Sequence, residues 1–460
     1  MIVMKFGGTS LEDATAMANA CEIIKSRVKR QPIVISSAAA GITNALIRCA
    51  ELAAEGKRIE AEAVLRDKII DRHYRIIANL IKGLSEQDIL IRQFKIFDEE
   101  IRSLIYGISI TGDLSPRVVD FVMSYGERMS SAILTEALRE HKLRAELLDS
   151  RKCMITGSNF GKAEPLLEAT REACEALIRP RIDKGIVPVM QGFIGANEYG
   201  VTTTLGRGGS DYSAAIFGTV MNAEDIEIWT DVDGMLTADP KIVPGALRIK
   251  EMSFREASEL AYFGAKVLHP STVLPAVEKN IPVHILNSRR PQLSGTLIKA
   301  QIASANIAVK SISYKRGISI LNISSTRMLG SYGFMKKIFD IFNEQQTAVD
   351  LVTTSEVSIS LSIEHSPNLD ALVTILKEYG DITVQKNKAI ICIVGERLRA
   401  ERGIAARVFS RLRDVPLDMI SHGASEINLT CVIDEDRVPE AVMELHDEFF
   451  SNISEPGIFE

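Results

Sequence analysis

The chain has 460 residues, of which 46% are hydrophobic and 25% charged, with a formal net charge of −6. This composition is that of an ordinary soluble globular protein of about three domains. The negative charge disfavours nucleic acid as a partner, because phosphate binding needs a basic surface. No apolar run approaches the roughly 20 residues of a membrane span.

Two further absences bear on location and metal chemistry. The N-terminus begins directly as a strand, without the basic and apolar regions of a signal peptide. The six cysteines are scattered and lack metal-ligand spacing. We therefore expect a cytoplasmic protein with reduced thiols, no membrane association and no metal held by protein ligands alone.

The first 44 residues predict two strand–turn–helix units. Ile2 to Phe6 is a strand that ends at a glycine turn, and a helix is expected from about Leu11 to Arg30. Pro32 to Ser36 is a second apolar strand, followed by a turn of small residues through Asn44. Such units predict a parallel sheet covered by helices, with ligands beyond the carboxyl ends of its strands.

The next segment predicts a helical layer and then one helix with an unusual glycine. Residues 45 to 110 read as long helices with charged faces, and His73 there is interpreted as a solvated or packed residue. The helix that begins at Ser115 carries Gly126 and Glu127. Gly126 indicates either a close ligand or a tight helix crossing, and Glu127 either receives a cation or pairs with Arg128.

The most distinctive stretch is Thr202 to Ala215, in which a polar glycine-rich turn at Leu205–Ser210 leads into a helix of small residues. Glycine permits backbone angles and close approaches that a Cβ would forbid. Ser210 and Asp211 are good N-cap types, and a helix start attracts anions. Arg207 and Asp211 supply one charge of each sign, which suits a zwitterion such as an amino acid.

Three features fit phosphoryl transfer, which needs a lysine, glycine-turn amides, Mg²⁺ and placement of the nucleophile. Lys5 ends the first strand beside its glycine turn, and carboxylates follow the strand at Ile226 to Trp229. Lys266 lies on a later predicted helix, on the same face as His269. The glycine patterns of P-loop, protein-kinase and Rossmann folds are all missing.

The last third of the chain contains an internal repeat with the pattern β-α-β-β-α. Gly333 and Gly403 recur at an interval of 70 residues, as do Phe339 and Phe409. Only the first copy has a fourth strand of its own. We predict that the apolar strand at 307–313 completes the sheet of the second copy, with the first copy inserted between. The alternative is a linker strand that extends the parallel sheet of the preceding part of the chain.

As a set, these motifs resemble aspartate kinase of the amino-acid-kinase superfamily, with tandem ACT regulatory domains, over nearly the whole chain. The motifs are Lys5–Ser10, Ala40–Asn44, Tyr125–Glu127, Thr202–Asp211, Ile228–Asp231 and Phe263–Pro270. The resemblance implies an α/β fold: a three-layer αβα catalytic domain (1–299) with a mainly parallel central sheet. Two ferredoxin-like βαββαβ ACT domains would follow, at 314–386 and at 387–455, the second with strand 306–313.

The resemblance also implies the reaction of ATP with L-aspartate to give ADP and 4-phospho-L-aspartate, with Mg²⁺ accompanying ATP, at the entry to lysine, methionine and threonine synthesis. The residues implied as catalytic are Lys5, Gly8, Arg207 and Asp211. Those implied to bind aspartate are Thr43, Glu127, Arg207, Gly208, Gly209, Ser210 and Asp211. Those implied to bind ATP are Lys5, Gly7, Gly8, Thr9, Ser10, Thr230, Asp231, Leu236, Lys241, Lys266 and Val267. The family often has an aromatic residue at position 236 and arginine at 241, so nucleotide contacts differ there.

Regulation and assembly follow from the same resemblance. Lysine is the implied effector, with threonine as the alternative, and a homodimer through the ACT domains, or a tetramer, is implied. The effector residues are Met328, Ser331, Gly333, Phe334, Val349, Asp350, Thr354, Ser355 and Glu356. Two other functions stay open at this point: a superfamily kinase acting on glutamate, carbamate or UMP, and a non-catalytic amino-acid sensor.

Overall fold

The chain folds into two units in the computed structural model, which describes residues 1–264, 272–300, 302, 307–451 and 457–460. The first unit comprises Met1–Met235, Lys250–Phe254 and Val267–Ile302. The second comprises Leu236–Ile249, Arg255–Lys266 and Ala303–Glu460. No helix in the described part of the chain combines the length and the apolar character that crossing a bilayer requires.

The first unit is built on a sheet of eight strands in the order β3-β5-β2-β1-β8-β10-β11-β9. The strands of this unit, in chain order, are β1 (Ile2–Phe6), β2 (Pro32–Ser36), β3 (Ala145–Leu148), β4 (Ile155–Thr156), β5 (Val187–Gln191), β6 (Ile194–Asn197), β7 (Thr202–Thr204), β8 (Asp225–Thr230), β9 (Glu251–Ser253), β10 (Val283–Asn287) and β11 (Thr296–Lys299). Every neighbouring pair in the eight-stranded sheet is parallel except β10 with β11.

The register of this sheet brings the predicted turns together. Lys5 on β1 lies opposite Ile35 of β2 and Ile228 of β8, so the three strands end at nearly the same level. Every residue of β1, β2 and β5 is buried. This is the pattern of central parallel strands covered on both faces. The sequence prediction of a mainly parallel sheet with helices on its faces is confirmed.

The helices up to residue 278 include the helical segments predicted for residues 45 to 110. In chain order they are α1 (Ala14–Arg27), α2 (Ile42–Ala54), α3 (Arg58–Val64), α4 (Asp71–Leu80), α5 (Leu84–Thr111), α6 (Pro116–Met123), α7 (Tyr125–Glu140), α8 (Leu167–Leu177), α9 (Arg179–Asp183), α10 (Gly209–Val220), α11 (Phe254–Tyr262) and α12 (Leu274–Glu278). Most residues of α11 belong to the second unit. His73 on α4 is fully buried, so it is packed rather than solvated.

Two helix boundaries differ from the sequence prediction. The helix expected from Leu11 begins at Ala14, because the Asp13 side chain caps it by accepting a bond from the Ala16 N–H at 2.8 Å. The helix expected to run from Ser115 is divided at Ser124 into α6 and α7. The Ser124 hydroxyl donates to the Phe121 carbonyl at this point.

A small sheet of three strands, in the order β4-β6-β7, was not predicted. Its edge strand β7 consists of three threonines for which no strand was predicted, and all three are buried. Threonine is β-branched and suits a strand. Buried hydroxyls need partners, and the Thr203 and Thr156 hydroxyls bond each other at 2.7 Å.

The second unit contains an antiparallel sheet of six strands in the order β13-β14-β12-β15-β17-β16. Its strands are β12 (Ser311–Ser324), β13 (Leu351–Thr354), β14 (Ser358–Glu364), β15 (Asp381–Val394), β16 (Met419–His422) and β17 (Asn428–Asp434). Its remaining helices are α13 (Phe334–Glu344), α14 (Leu369–Leu376), α15 (Ile404–Arg411) and α16 (Val438–Phe450).

Two long strands are shared between the repeats. The segment Ser311–Lys315 of β12 pairs with Ile390–Val394 of β15, which is the first strand of the second repeat. The rest of β12 pairs with the first half of β15, inside the first repeat. The upstream strand therefore lies in the sheet of the second repeat, starting at Ser311 rather than Ile307; residue 306 lies outside the described residues.

A buried ion pair within the second unit joins α11 to the residue before β12. The Lys310 ammonium lies 2.7 Å from a Glu256 carboxylate oxygen, and the two side chains are 3% and 0% exposed. The other oxygen of Glu256 accepts a bond from the Glu396 N–H at 2.9 Å. Removing one member of a buried pair leaves an uncompensated charge in the interior.

We expect Lys310→Met to lower the free energy of unfolding by about 3 kcal/mol, because a buried ion pair with Glu256 is broken. Calorimetry of the full-length chain measures this as a lower temperature for the transition that includes the second unit. The matched control is Lys336→Met, which removes the exposed partner of Asp340 and should change little. Equal effects of the two substitutions would contradict a structural role for the buried pair.

Candidate active site

A cavity of about 470 Å³ lies in the first unit, beyond the carboxyl ends of β1 and β2. Such a position is where open α/β sheets bind ligands. Its lining residues are Lys5, Ser37, Ala38, Thr43, Met123, Glu127, Gly161, Phe193, Thr204, Gly206, Arg207, Gly208, Gly209, Ser210 and Asp211. Lys5 and all seven residues predicted to contact aspartate are therefore brought together around one space.

An ion pair at the base of the cavity joins the first strand to α10. The Lys5 ammonium lies 2.6 Å from a carboxylate oxygen of Asp211, and the two side chains are 10% and 14% exposed. Lys5 ends its strand facing the cavity, and Asp211 lies in the first turn of α10. The pair fixes a lysine where negative charge would develop in a phosphoryl transfer.

The glycine loop takes a shape that side chains would hinder. Gly206 and Gly208 have φ values of +78° and +71°, in the left-handed region that glycine tolerates. Gly208 is the N-cap of α10, so the prediction that Ser210 and Asp211 cap this helix is wrong; both lie in its first turn. The reason is the left-handed turn at Gly208, which starts the helix earlier than the capping rule indicated.

Arg207 is exposed at the mouth of the cavity. It forms no salt bridge with any residue for which the structure gives a position. A guanidinium group without a protein partner can hold a carboxylate through two parallel hydrogen bonds.

Glu127 is buried in the cavity wall, with 4% of its surface exposed. One carboxylate oxygen accepts a bond from the Ala38 N–H at 3.2 Å, and the other has no partner among the described residues. Burial raises the pKa of Glu127 from 4.5 to about 8, although the Ala38 N–H and the Lys5 charge oppose this. An incoming ammonium group would satisfy the free oxygen.

Arg128 does not pair with Glu127, which was one of the two alternatives for this helix. Its guanidinium lies 3.6 Å from Glu100 and stacks over the Tyr125 and Phe97 rings. Gly126 marks a close approach instead: a Cβ there would be 2.7 Å from the Cβ of Ala38. The glycine thus lets α7 approach the turn after β2, which places Glu127 at the cavity.

In the glycine turn after β1, some polar groups bond other parts of the protein and others are placed at the start of a short helix. The Gly7 N–H donates to the Trp229 carbonyl at 2.8 Å, and the Ser10 hydroxyl bonds Ser288 at 2.7 Å, so both groups are already engaged. Gly8 passes so near the next turn that a Cβ would be 2.8 Å from the Ala38 carbonyl oxygen. Gly8 and Thr9 open a short 3-10 helix, and the first amides of a helix lack intrahelical partners.

The other residues predicted to bind ATP fall into three groups. Thr230 ends β8 and Asp231 follows it. Thr230 is near the Gly7 turn, since a Cβ on Gly7 would be 3.9 Å from the Thr230 hydroxyl. Leu236 and Lys241 belong to the second unit and do not line the cavity. Lys266 and Val267 lie outside the described residues.

The residues predicted to bind an effector all lie in the second unit. Met328 to Phe334 form the segment before and at the start of α13, where Gly333 is the N-cap. Val349 and Asp350 precede β13, Thr354 ends it, and Ser355 and Glu356 form the exposed turn to β14. Two of these segments therefore lie immediately before and after β13 in the chain.

Asp350 is the most constrained of these effector residues. One oxygen accepts from the Lys315 ammonium at 2.8 Å and from the Tyr262 hydroxyl at 2.9 Å. The other oxygen is buried and unpartnered among the described residues. In the second repeat Lys388 likewise pairs with Asp418, at 2.7 Å.

The sequence prediction missed part of the cavity. Met123, Gly161 and Thr204 line it and were not assigned a role. Asp120, which binds Gly161 and Thr204, was also missed. The sequence does contain an indication of its role, because Asp120 stands among the apolar residues Val118, Val119, Phe121 and Val122. Aspartate is rarely buried unless its carboxylate is paired. In the described residues no group of three or more His, Cys, Asp or Glu side chains could hold a metal ion.

Comparisons with known proteins agree along the whole chain. Residues 1–287 match the amino acid kinase family, and residues 391–449 match the ACT domain. The chain is 36% identical over 463 residues to the lysine-sensitive aspartokinase 3 of Escherichia coli K12, covering 98% of this chain and 99% of that protein.

Two solved structures from E. coli are similar over 98% of this chain, each at 36% identity. One is aspartokinase III in complex with aspartate and ADP (R-state), with a TM-score of 0.85 and all of that chain covered. The other is aspartokinase III in complex with lysine and aspartate (T-state), with a TM-score of 0.81 and 99% covered. The chain therefore belongs to the amino acid kinase family and, within that family, to the aspartokinases.

Proposed function

We propose that the cavity binds L-aspartate and presents its side-chain carboxylate to the γ-phosphoryl group of ATP, giving ADP and 4-phospho-L-aspartate. The observation that carries this proposal is the convergence of Lys5, Glu127, Arg207 and Asp211 on one space. The E. coli relative of known structure contains aspartate and ADP, which supports the choice of substrates.

Aspartate is held as a zwitterion in this proposal. Arg207, exposed at the mouth, grips the α-carboxylate in a bidentate fork. The free oxygen of Glu127 receives the α-ammonium, with Asp211 as a second anion and Thr43 as a further contact. The side-chain carboxylate has a reference pKa of about 3.9, so it is already ionised at neutral pH and needs no general base.

Lys5 and the adjoining turns act on the phosphoryl group. Held by Asp211, the Lys5 ammonium neutralises charge between the attacking carboxylate and the γ-phosphoryl oxygens. The amides of Gly8 and Thr9, with the first turn of α10 at Gly208–Ser210, are the donors that can hold phosphate oxygens. Gly8 belongs to the catalytic set because the turn must approach the reacting groups closely.

ATP brings Mg²⁺ with it in this proposal. A Mg²⁺ ion usually keeps several waters and binds one or two carboxylates plus the substrate's phosphates, so no dedicated protein cage is required. Asp231, which follows Thr230 at the end of β8, is the carboxylate placed to approach it. Mg²⁺ would supply further neutralisation of phosphate charge. Thr230, Lys266 and Val267 are proposed nucleotide contacts, as are Leu236 and Lys241, where this chain departs from the common family pattern.

The second unit is the proposed regulatory part. We assign residues 1–299 to the catalytic domain, 314–386 to the first ACT domain, and 387–455 with the strand at 306–313 to the second. Lysine is the proposed effector, with threonine as the alternative, and a crystal structure of the E. coli relative contains lysine. The unpartnered oxygen of Asp350 offers an acceptor for an effector's ammonium group. A homodimer through the ACT domains and a cytoplasmic location in lysine, methionine and threonine synthesis complete the proposal.

We expect Lys5→Ala to lower kcat by about 10²- to 10³-fold, since one preorganised charge at the phosphoryl group is lost. Coupled measurement of ADP release gives kcat, and circular dichroism checks that the fold is retained. Lys25→Ala is the control, because Lys25 is half exposed on α1 and pairs only with Glu22 among the described residues. An unchanged kcat in Lys5→Ala would refute the role given to Lys5.

The KM for aspartate should depend on pH through Glu127. Below its pKa of about 8 the carboxyl group is mostly protonated and binds the substrate ammonium poorly. The KM should therefore fall by roughly tenfold or more between about pH 6.5 and 8.5, as Glu127 ionises. In Glu127→Gln the KM should be high and flat over this range. Persistence of the fall in Glu127→Gln would assign the titration to another group.

Lysine should inhibit the enzyme, and Asp350→Asn should weaken that inhibition by at least about tenfold, because a charge-assisted bond to the effector is lost. The measurement is initial rate against lysine and, separately, threonine concentration. Asp418→Asn, the matching change in the second repeat, should leave the response unaltered. Inhibition by threonine alone would overturn the choice of lysine, and no response to either would overturn the regulatory role.

A further inference from the structure

Asp120 is a buried acid that none of the roles above uses. It lies on α6, between Val119 and Phe121, and its exposed fraction is 0%. An acid on the apolar face of a helix is costly to bury unless its oxygens are satisfied. The hydrogen bonds of Asp120 therefore indicate its structural role.

Both oxygens of Asp120 are fully used. One accepts from the Gly161 N–H at 3.1 Å and from the Thr204 hydroxyl at 2.7 Å. The other accepts from the Gly161 N–H at 2.9 Å and from the Thr204 N–H at 2.9 Å. All donors come from two residues that are distant from each other in the chain, so Asp120 joins the loop at Gly161 to the end of β7.

Gly161 and Thr204 are both cavity-lining residues, and they adjoin the glycine loop. The Thr204 carbonyl accepts from the Ala163 N–H at 2.8 Å, which gives a second connection between the same two segments. A Cβ on Gly206 would be 3.1 Å from the Gly161 carbonyl oxygen, so the segments also touch beside the cavity. Arg207 follows directly.

We infer that Asp120 is a positioning residue for aspartate binding: its four accepted hydrogen bonds hold the Gly161 loop and the end of β7 so that Arg207 is presented to the substrate's α-carboxylate. The inference rests on the proposed role of Arg207. Asp120 itself touches no substrate, because it is fully buried behind the two segments it joins.

An acceptor-only side chain is what this position requires. An ionised aspartate has two oxygens and no donor, so it can receive backbone and hydroxyl donors together. Asparagine can reproduce most of the arrangement. Its amide oxygen can accept from the Gly161 and Thr204 N–H groups, while its NH₂ group donates to the Thr204 hydroxyl oxygen. Alanine removes every bond and leaves two N–H groups unpaired.

The test measures KM for aspartate, KM for ATP and kcat in the full-length enzyme. We expect Asp120→Ala to raise the KM for aspartate by at least about tenfold, since an ångström-scale shift of a positioning group can cost 10²-fold. The KM for ATP should stay within about twofold of the unaltered enzyme, because among the described residues Asp120 bonds Gly161 and Thr204, and neither is a proposed nucleotide contact. Asp120→Asn should recover most of the affinity for aspartate.

Thr204→Val is a second route to the same answer if Asp120→Ala fails to fold. It removes only the hydroxyl contact and should raise the KM for aspartate by a few-fold, again without changing the KM for ATP. Glu227→Ala is the matched control: Glu227 is also buried, and it accepts from Arg27, Arg30 and the Trp229 ring, away from this loop. It should lower stability without raising the KM for aspartate.

Two results would overturn the inference. One is a KM for aspartate within about twofold of normal in Asp120→Ala or, if that variant does not fold, in Thr204→Val. The other is an equal rise in Glu227→Ala, which would indicate a general loss of stability. Arg207→Ala separates this from the proposed function. If it raises the KM for aspartate while Asp120→Ala does not, only the positioning role fails; if it has no effect, the role given to Arg207 fails as well.

Discussion

The ion pair between Lys5 and Asp211 is the interaction on which the site depends. It joins the first strand of the chain to the first turn of α10, about two hundred residues later in the sequence. Both side chains are largely buried, and a buried ammonium group requires a counter-charge. The parallel register of β1 between β2 and β8 brings the lysine to the level at which α10 begins. The strand order that defines the sheet thus also places Lys5 beside Asp211 in the active-site cavity.

Small residues allow other segments that line the cavity to pack closely around Ala38, in the turn after β2. Gly8 approaches the Ala38 carbonyl, Gly126 approaches its methyl group, and the Glu127 carboxylate accepts from its N–H. The turn after β1 and the start of α7 thereby converge on one residue. A larger side chain at either glycine would force the elements apart, because protein interiors are packed without spare space. This convergence explains why Glu127 is buried and why its pKa is raised.

Local chemistry in the sequence was sufficient to predict the parallel sheet and most of the cavity, since apolar strands and glycine turns carry their own signals. Pairing between residues far apart in the chain could not be predicted in this way. The three threonines of β7 were not predicted to form a strand, because the partners of their hydroxyls at Thr156 and Asp120 are far away in the chain. Asp120 was missed for the same reason. Capping at Gly208 was misjudged because a left-handed glycine competed with Ser210 and Asp211 for the helix start.

The internal repeat shows the same limit in another form. Lys315 with Asp350 and Lys388 with Asp418 are corresponding ion pairs, yet the lysines are 73 residues apart and the aspartates 68. A fixed interval of 70 aligns the glycines and phenylalanines of the helices but not these charges. Insertions and deletions in the turns shift the register between elements, so only the structure reveals that the two repeats place a lysine against an aspartate in the same way.

The two fourteen-residue strands β12 and β15 determine whether one repeat of the second unit can be produced without the other. Each strand begins in the sheet of one repeat and ends in the sheet of the other. If the chain is divided at the boundary between the repeats, neither part therefore contains all the strands of its sheet. A fragment starting at residue 387 would lack the strand at Ser311–Lys315 and expose an unpaired edge. The two repeats therefore need to be expressed together if either is to have a complete sheet.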